Sequence, residues 1–387
     1  MNQYLAHSGP AGQPDDALVP GGVHGGHGGR VFQTARALGL HPDELLDASN
    51  NANSLAADLT AQVLAGIRPE HRFYPDPLCT ALRQAYAEAE GLPPDQILPV
   101  HGSAEGILLT LLALRPHSVC ILGPIFSEYP RLCQVLGIPW TLHPLAQEND
   151  FALTPRDRAA LLASPAEAVI LCSPNNPTGQ ALEDLPGLVA ELGASRQVVV
   201  DLAYKDFLHG TPAQAGHAPA ALLQAASRNA SPVVLLTSLT KFYFCPGIRL
   251  GCVMAGPRTI ARLAALQPPW SVTQLAQDAG TAFLHQRGAY QDRLPALRTL
   301  TAEYAARLRE IPGVAHVPAS TTNFVLVRLA PGIAAPSVAK AMLQRRMLVR
   351  DCDNIPGMPP GHLRLQVRTA EENARVAAAL AAVMPRP

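Results

Sequence analysis

Four short runs constrain this chain more than any other feature: residues 118–122, 168–172, 197–201 and 233–237 are apolar without alternation. A strand wetted on one face alternates polar and apolar residues, whereas a strand buried on both faces does not. Each run leads into Gly, Pro, Asn, Asp or Ser, and helical stretches separate them. The expected class is therefore α/β, with a mostly parallel central sheet covered by helices. Open sheets of this kind bind ligands beyond the carboxyl ends of their strands, so chemistry is expected in the segments that follow the runs.

At 387 residues the chain is long enough for two domains. After about residue 275 it turns to long Ala/Leu/Arg-rich helical segments, a strand-like run at 323–327, and a clean alternation at 362–368. That alternation puts Leu363, Leu365 and Val367 on one face and Arg364, Gln366 and Arg368 on the other. A capping box at Thr369–Glu372 opens a closing helix. The expected organisation is a mobile arm over 1–22, an N-terminal segment over 23–48 that contributes to the substrate site and the small domain, a large domain over 49–275, and a smaller α+β domain over 276–387.

Hydrophobic residues make up 48% and charged residues 16%, with zero net charge, which gives no electrostatic reason to bind nucleic acid or an anionic membrane. Seven cysteines without a C-x-x-C pair suggest reduced core thiols and neither a disulfide frame nor a metal site. No run reaches the length of a bilayer span and the first residues lack a secretory pattern, so a cytoplasmic location is expected.

Only three lysines occur, Lys205, Lys241 and Lys340, and arginine cannot be deprotonated, so candidates for a nucleophilic amine are few. Lys241 ends Ser238-Leu239-Thr240-Lys241, with Arg249 eight residues on, and is expected in a loop beyond the carboxyl end of the 233–237 strand. Alone it also reads as a surface lysine in a Ser/Thr-rich loop. His101-Gly102-Ser103-Ala104, before a helical run, suits an anion at a helix start, although such turns also occur without ligands. The proline-stiffened turn 173–179 presents Asn176, either as a partner for a phenolic oxygen or as turn chemistry only. Asp201, at the end of a buried run, needs a cation such as a protonated ring nitrogen, or else caps a helix or pairs with an arginine.

Assembled, these residues resemble the fold-type I pyridoxal-phosphate enzymes of the class I/II aminotransferase superfamily, over about residues 24–385. The resemblance implies pyridoxal 5′-phosphate as cofactor, Lys241 as the amine that joins its aldehyde, and Asp201 as the partner of its ring nitrogen. It further implies Asn176 and Tyr204 on the ring hydroxyl, Phe126 stacked on the ring, and Ser103, Ala104, Ser238, Thr240 and Arg249 around the phosphate. Tyr74 would reach the phosphate of a neighbouring subunit, which implies a homodimer with shared sites. Within the superfamily the chain resembles first the threonine-phosphate decarboxylases of cobalamin synthesis and next the histidinol-phosphate aminotransferases. The segments that carry this are His27-Gly28-Gly29, 45–53, 269–272, 350–357, and Arg364 with Arg368. They imply His27, Asn51, Arg364 and Arg368 as the grip on a phosphorylated amino acid, with decarboxylation expected and transamination as the alternative. Ser54 and Leu202 depart from the family pattern, and His24 competes with His27 for one role.

Overall fold

The computed structural model describes residues 28–227 and 231–385. The expected arm at 1–22, His24 and His27 lie outside the described residues.

The four apolar runs form the strands Val119–Gly123, Ala168–Cys172, Gln197–Asp201 and Val233–Ser238. They are the middle of a seven-stranded sheet, in the order Ile97–Val100, Gly251–Ala255, Val233–Ser238, Gln197–Asp201, Ala168–Cys172, Val119–Gly123, Trp140–Pro144. Gly251–Ala255 is antiparallel to both neighbours and every other pairing is parallel. Successive residues of each strand enter two separate cores. Val169, Leu171, Val198, Val200 and Leu235 belong to one, and Ile170, Cys172, Val199, Val234 and Leu236 to the other. Both faces are dry, which is why the runs carry no polar alternation. Helix Gly102–Leu114 covers one face and helix Leu185–Gly193 the other. Each large aliphatic side chain so buried contributes about 1.5–3 kcal/mol, which a polar replacement would forfeit.

Parallel strands bring their carboxyl ends to one edge. Val100, Gly123, Cys172, Asp201 and Ser238 all end there, so residues 101–104, 124–126, 173–176, 202–204 and 239–241 emerge side by side.

A second, four-stranded antiparallel sheet runs Arg350–Asp351, His362–Gln366, Phe324–Leu329, Val314–His316. The alternation at 362–368 predicts a strand with one wet face. His362–Gln366 is instead an inner strand with all five residues buried. Its polar face looks onto the N-terminal segment: the Arg364 guanidinium donates to the Ser49 carbonyl at 2.7 Å and the Gln366 amide to the Ala52 carbonyl. That segment is a strap between the two sheets. At one end the Gln366 amide, in the small sheet, donates to the Ala48 carbonyl at 2.9 Å, and at the other the Asn53 amide donates at 2.8 Å to the carbonyl of Lys241, just beyond a strand of the large sheet.

The capping box at Thr369 forms, with the Glu372 amide donating to the Thr369 hydroxyl at 3.3 Å. All seven cysteines are free and buried. No helix among the described residues is long and apolar enough to cross a membrane.

Candidate active site

A cavity of about 470 Å³ opens at the carboxyl edge of the large sheet, between that sheet, the N-terminal strap and the small sheet. Lys241, Asn51, Phe126, Asn176, Arg249, Arg350 and Arg364 are among its lining residues. Lys241 stands in a one-turn helix, Leu239–Phe242, directly after its strand, where a loop was expected. Its Nζ donates to Asn51 Oδ1 at 2.9 Å, and the Asn51 amide donates in turn to the Tyr204 hydroxyl. The other lysines are committed elsewhere. Lys205 pairs with Glu90 at 2.8 Å and Asp206 at 3.2 Å in a buried network, and Lys340 is exposed.

Burial, then the positive charges of Arg364 and Arg249, push the Lys241 amine down from 10.5 to about 8. The folded state thus favours the neutral amine, so this group's contribution to stability is present above pH 10.5 and is lost as pH falls through about 8. The neutral amine is also the form that attacks a carbonyl. Attachment of an aldehyde to the ligand-free protein is therefore expected to accelerate with pH and level off above about 8, as followed by stopped-flow absorbance. A midpoint near that of an ordinary lysine would count against the site.

Asp201 is 4% exposed. Its Oδ2 accepts the Tyr129 hydroxyl at 2.9 Å and its Oδ1 the Ala203 amide at 2.9 Å, both neutral donors. Burial pushes the carboxyl up, against these hydrogen bonds and the Lys241 charge. In the 173–179 turn, Asn175 donates to the Pro124 carbonyl at 2.9 Å and to Thr178 Oγ1 at 3.1 Å. This fixes the loop from which Asn176 accepts the Arg364 guanidinium.

Gly102 opens helix Gly102–Leu114 at φ +72°, and a Cβ there would come 2.7 Å from the Arg249 guanidinium. Opposite it, a Cβ on Gly251 would lie 2.8 Å from the Ser103 amide nitrogen. The two glycines therefore let an arginine and a strand close onto a helix N-terminus whose first amides have no intrahelical partner. Arg249 gives one hydrogen bond, to the Pro246 carbonyl at 3.1 Å, and has no acidic partner among the described residues. Ser238 and Thr240 lie alongside, buried, with their hydroxyls 2.8 Å apart.

Of the expected residues, Asn51, Phe126, Asn176, Lys241, Arg249 and Arg364 line the cavity, whereas Ser103, Ala104, Asp201, Tyr204, Ser238, Thr240, Tyr74 and Arg368 do not. Tyr74 is 77% exposed and stacks on Trp270, ring centroids 4.4 Å apart. Arg368, beyond the end of its strand, donates to Glu372 at 2.7 Å, to Gln366 at 3.2 Å and to the Asp47 carbonyl at 3.1 Å, and does not line the cavity. Conversely, the sequence alone assigns no role to Tyr129 or Arg350. Arg350 lies in the 350–357 segment and Tyr129 three residues after Phe126, but only packing puts Tyr129 on Asp201 and only strand register puts Arg350 opposite Arg364.

The family model described as aminotransferase class I and II matches residues 38–380. The chain belongs to this family. It is similar to threonine-phosphate decarboxylase of Salmonella typhimurium, 32% identical over 365 residues that cover 92% of this chain and 96% of that protein. It is also similar to a histidinol-phosphate aminotransferase of Symbiobacterium thermophilum, 33% identical over 365 residues, 92% of this chain and 94% of that one. The solved L-threonine-O-3-phosphate decarboxylase of Porphyromonas gingivalis superposes with a TM-score of 0.69 at 25% identity, covering 84% of this chain and 94% of that chain.

Like other class I/II family members, this chain has the fold-type I architecture and uses pyridoxal 5′-phosphate. Its residues fit that group on three counts. Among the described residues, a partly neutral amine faces the cavity, a buried carboxylate is held by neutral donors alone, and an arginine without an acidic partner adjoins a helix N-terminus. An aldehyde, a protonated ring nitrogen and a phosphate would complement these in turn.

Proposed function

We propose that this pyridoxal-phosphate enzyme decarboxylates L-threonine O-3-phosphate, giving (R)-1-aminopropan-2-yl phosphate and carbon dioxide. The carrying observation is the pair Arg350 and Arg364. They face each other directly across neighbouring antiparallel strands, are 8% and 4% exposed, and line the cavity. Neither makes an ion pair among the described residues. Arg350 donates to the Asn354 side chain at 2.7 Å, and Arg364 to Asn176 and to the Ser49 carbonyl. Like charges directly opposite in a sheet repel, and burial adds to the cost. A substrate with both a carboxylate and a phosphate would relieve both, because each guanidinium offers a two-pronged donor for one anion.

When bound, the cofactor supplies an aldehyde for the substrate amine and a ring that accepts the electrons left at Cα. The chain's own part is orientation and proton handling. The arginine pair, with Asn51, fixes the substrate's anionic ends and so selects which Cα bond is presented. Lys241, poised near pH 8, is suited to return a proton to Cα after carbon dioxide leaves. Tyr74, exposed beside Trp270, suits a contact with a second copy that would complete the site of each subunit.

One observation favours a second reading. The arginine pair would equally hold the two carboxylates of 2-oxoglutarate, and the chain is as similar to a histidinol-phosphate aminotransferase as to a decarboxylase. The experiment that separates them incubates cofactor-loaded protein with L-threonine O-3-phosphate and no 2-oxo acid. Sustained carbon dioxide release over many turnovers is expected. Activity that appears only with histidinol phosphate and 2-oxoglutarate would replace decarboxylation with transamination.

A further inference from the structure

We infer that Tyr129 is the positioning residue of Asp201, holding the carboxylate as an anion aimed at the cofactor's ring nitrogen; this rests on the reading that Asp201 faces that nitrogen. Tyr129 lies in the first turn of helix Glu128–Val135 and is fully buried among Ile125, Leu132 and Cys133. A phenylalanine would fill that apolar site without carrying a hydroxyl into it. A hydroxyl buried among aliphatic side chains is costly unless it is hydrogen-bonded, and this one is spent on Asp201 Oδ2 at 2.9 Å.

The geometry divides the carboxylate between two donors of different kinds. Oδ1 takes the Ala203 amide, which the chain supplies wherever an aspartate sits two residues before such a turn, whereas Oδ2 depends on the Tyr129 side chain. Without the phenol, one oxygen of a buried carboxylate would lose its hydrogen bond. The carboxyl would then take up a proton at higher pH, because burial already pushes it that way. The other titratable groups around it do not replace the phenol. Cys172, on the adjacent strand, is held protonated by burial, as is Tyr204 in the following turn, and Lys241 acts on Asp201 by charge without a hydrogen bond to it. Tyr129's own proton is held well into the alkaline range, by burial first and then by the Asp201 charge, so it remains a donor wherever the protein is folded. Tyr129 also lies three residues after Phe126, which lines the cavity and whose carbonyl accepts the Tyr129 amide at 3.3 Å, so one short stretch of chain sets both a wall of the site and the orientation of its buried anion.

The test titrates ligand-free wild-type, Tyr129→Phe and Asp201→Asn proteins between pH 6 and 9 with two probes. One is pyridoxal 5′-phosphate and the other is its 1-deaza analogue, in which C–H replaces the ring nitrogen. Both probes carry the aldehyde and the phosphate and make the same bonds elsewhere. Melting midpoints of the three ligand-free proteins are recorded alongside. A hydrogen bond to a charged group is worth enough to change an affinity on the order of tenfold or more. Tyr129→Phe is therefore expected to weaken pyridoxal phosphate by about that factor, most at low pH, and to leave the analogue within about twofold. Equal weakening of both probes would mean a merely structural tyrosine and overturn the inference. So would unchanged binding of both probes by Tyr129→Phe while Asp201→Asn still discriminates between them. If Asp201→Asn does not discriminate either, Asp201 does not face the ring nitrogen, and the inference falls with the reading beneath it.

Discussion

Lys241→Ala is expected to reduce turnover by a factor on the order of 10⁴ and to leave pyridoxal phosphate unattached to the protein. No other lysine stands ready to replace it. Lys205 is locked between Glu90 and Asp206, with Arg287 closing the same buried network, and Lys340 faces solvent. The many arginines are no substitute, because a guanidinium stays protonated and cannot add to a carbonyl. For the same reason Lys241→Arg, which preserves the charge, should be as inactive as Lys241→Ala. The measurements are the absorbance of the loaded protein, the mass of the borohydride-reduced protein, and product formed per subunit over many turnovers. Attachment or turnover surviving in the alanine variant would exclude Lys241 as the reactive amine.

Arg350→Ala and Arg364→Ala are expected to have the next largest effects, each lowering kcat/KM on threonine phosphate by roughly ten- to a hundredfold through the loss of charge-assisted hydrogen bonds. If one arginine holds phosphate and the other carboxylate, the variants should differ on a substrate without phosphate. The phosphate-holding arginine would then matter little, and its partner as much as before. Lysine should not rescue either position, since a point charge cannot make the paired contact. The two should also differ in stability. Arg364 holds the Asn176 side chain and the Ser49 carbonyl, so its removal leaves buried acceptors without a donor and should lower the melting midpoint, whereas Arg350, among the described residues, bonds only the exposed Asn354 side chain. Arg368→Ala provides the comparison, because its guanidinium is engaged by Glu372, Gln366 and the Asp47 carbonyl and does not line the cavity. An Arg368→Ala effect as large as that of Arg350→Ala would mean that the substrate reaches beyond the cavity described.

Side-chain chemistry and strand periodicity are local properties, and what depends on them is legible in the sequence. The double-sided burial of residues 168–172, 197–201 and 233–237 is written in their unbroken apolar composition, and with it the parallel sheet and the edge where Asn176, Asp201 and Lys241 emerge. Three lysines in the whole chain leave few candidates for a reactive amine, and the position of Lys241 after a buried strand singles it out for test.

Whatever depends on which segment lies against which was decided only by the folded chain. Alternation at 362–368 says that two faces differ, and it is the same pattern for a face turned to water and a face turned to a polar strap. The strap at Ala48–Asn53 is what buries Arg364 and Gln366 and carries Asn51 to Lys241. Likewise Arg364 and Arg368 share a face by parity, yet beyond Gln366 the strand ends and Arg368 swings to Glu372, while the register of a separate two-residue strand sets Arg350 opposite Arg364. Tyr129 meets Asp201 across 72 residues of sequence. Local pattern states what a residue is able to do, and long-range packing, which no local pattern encodes, chooses the partner with which it does it.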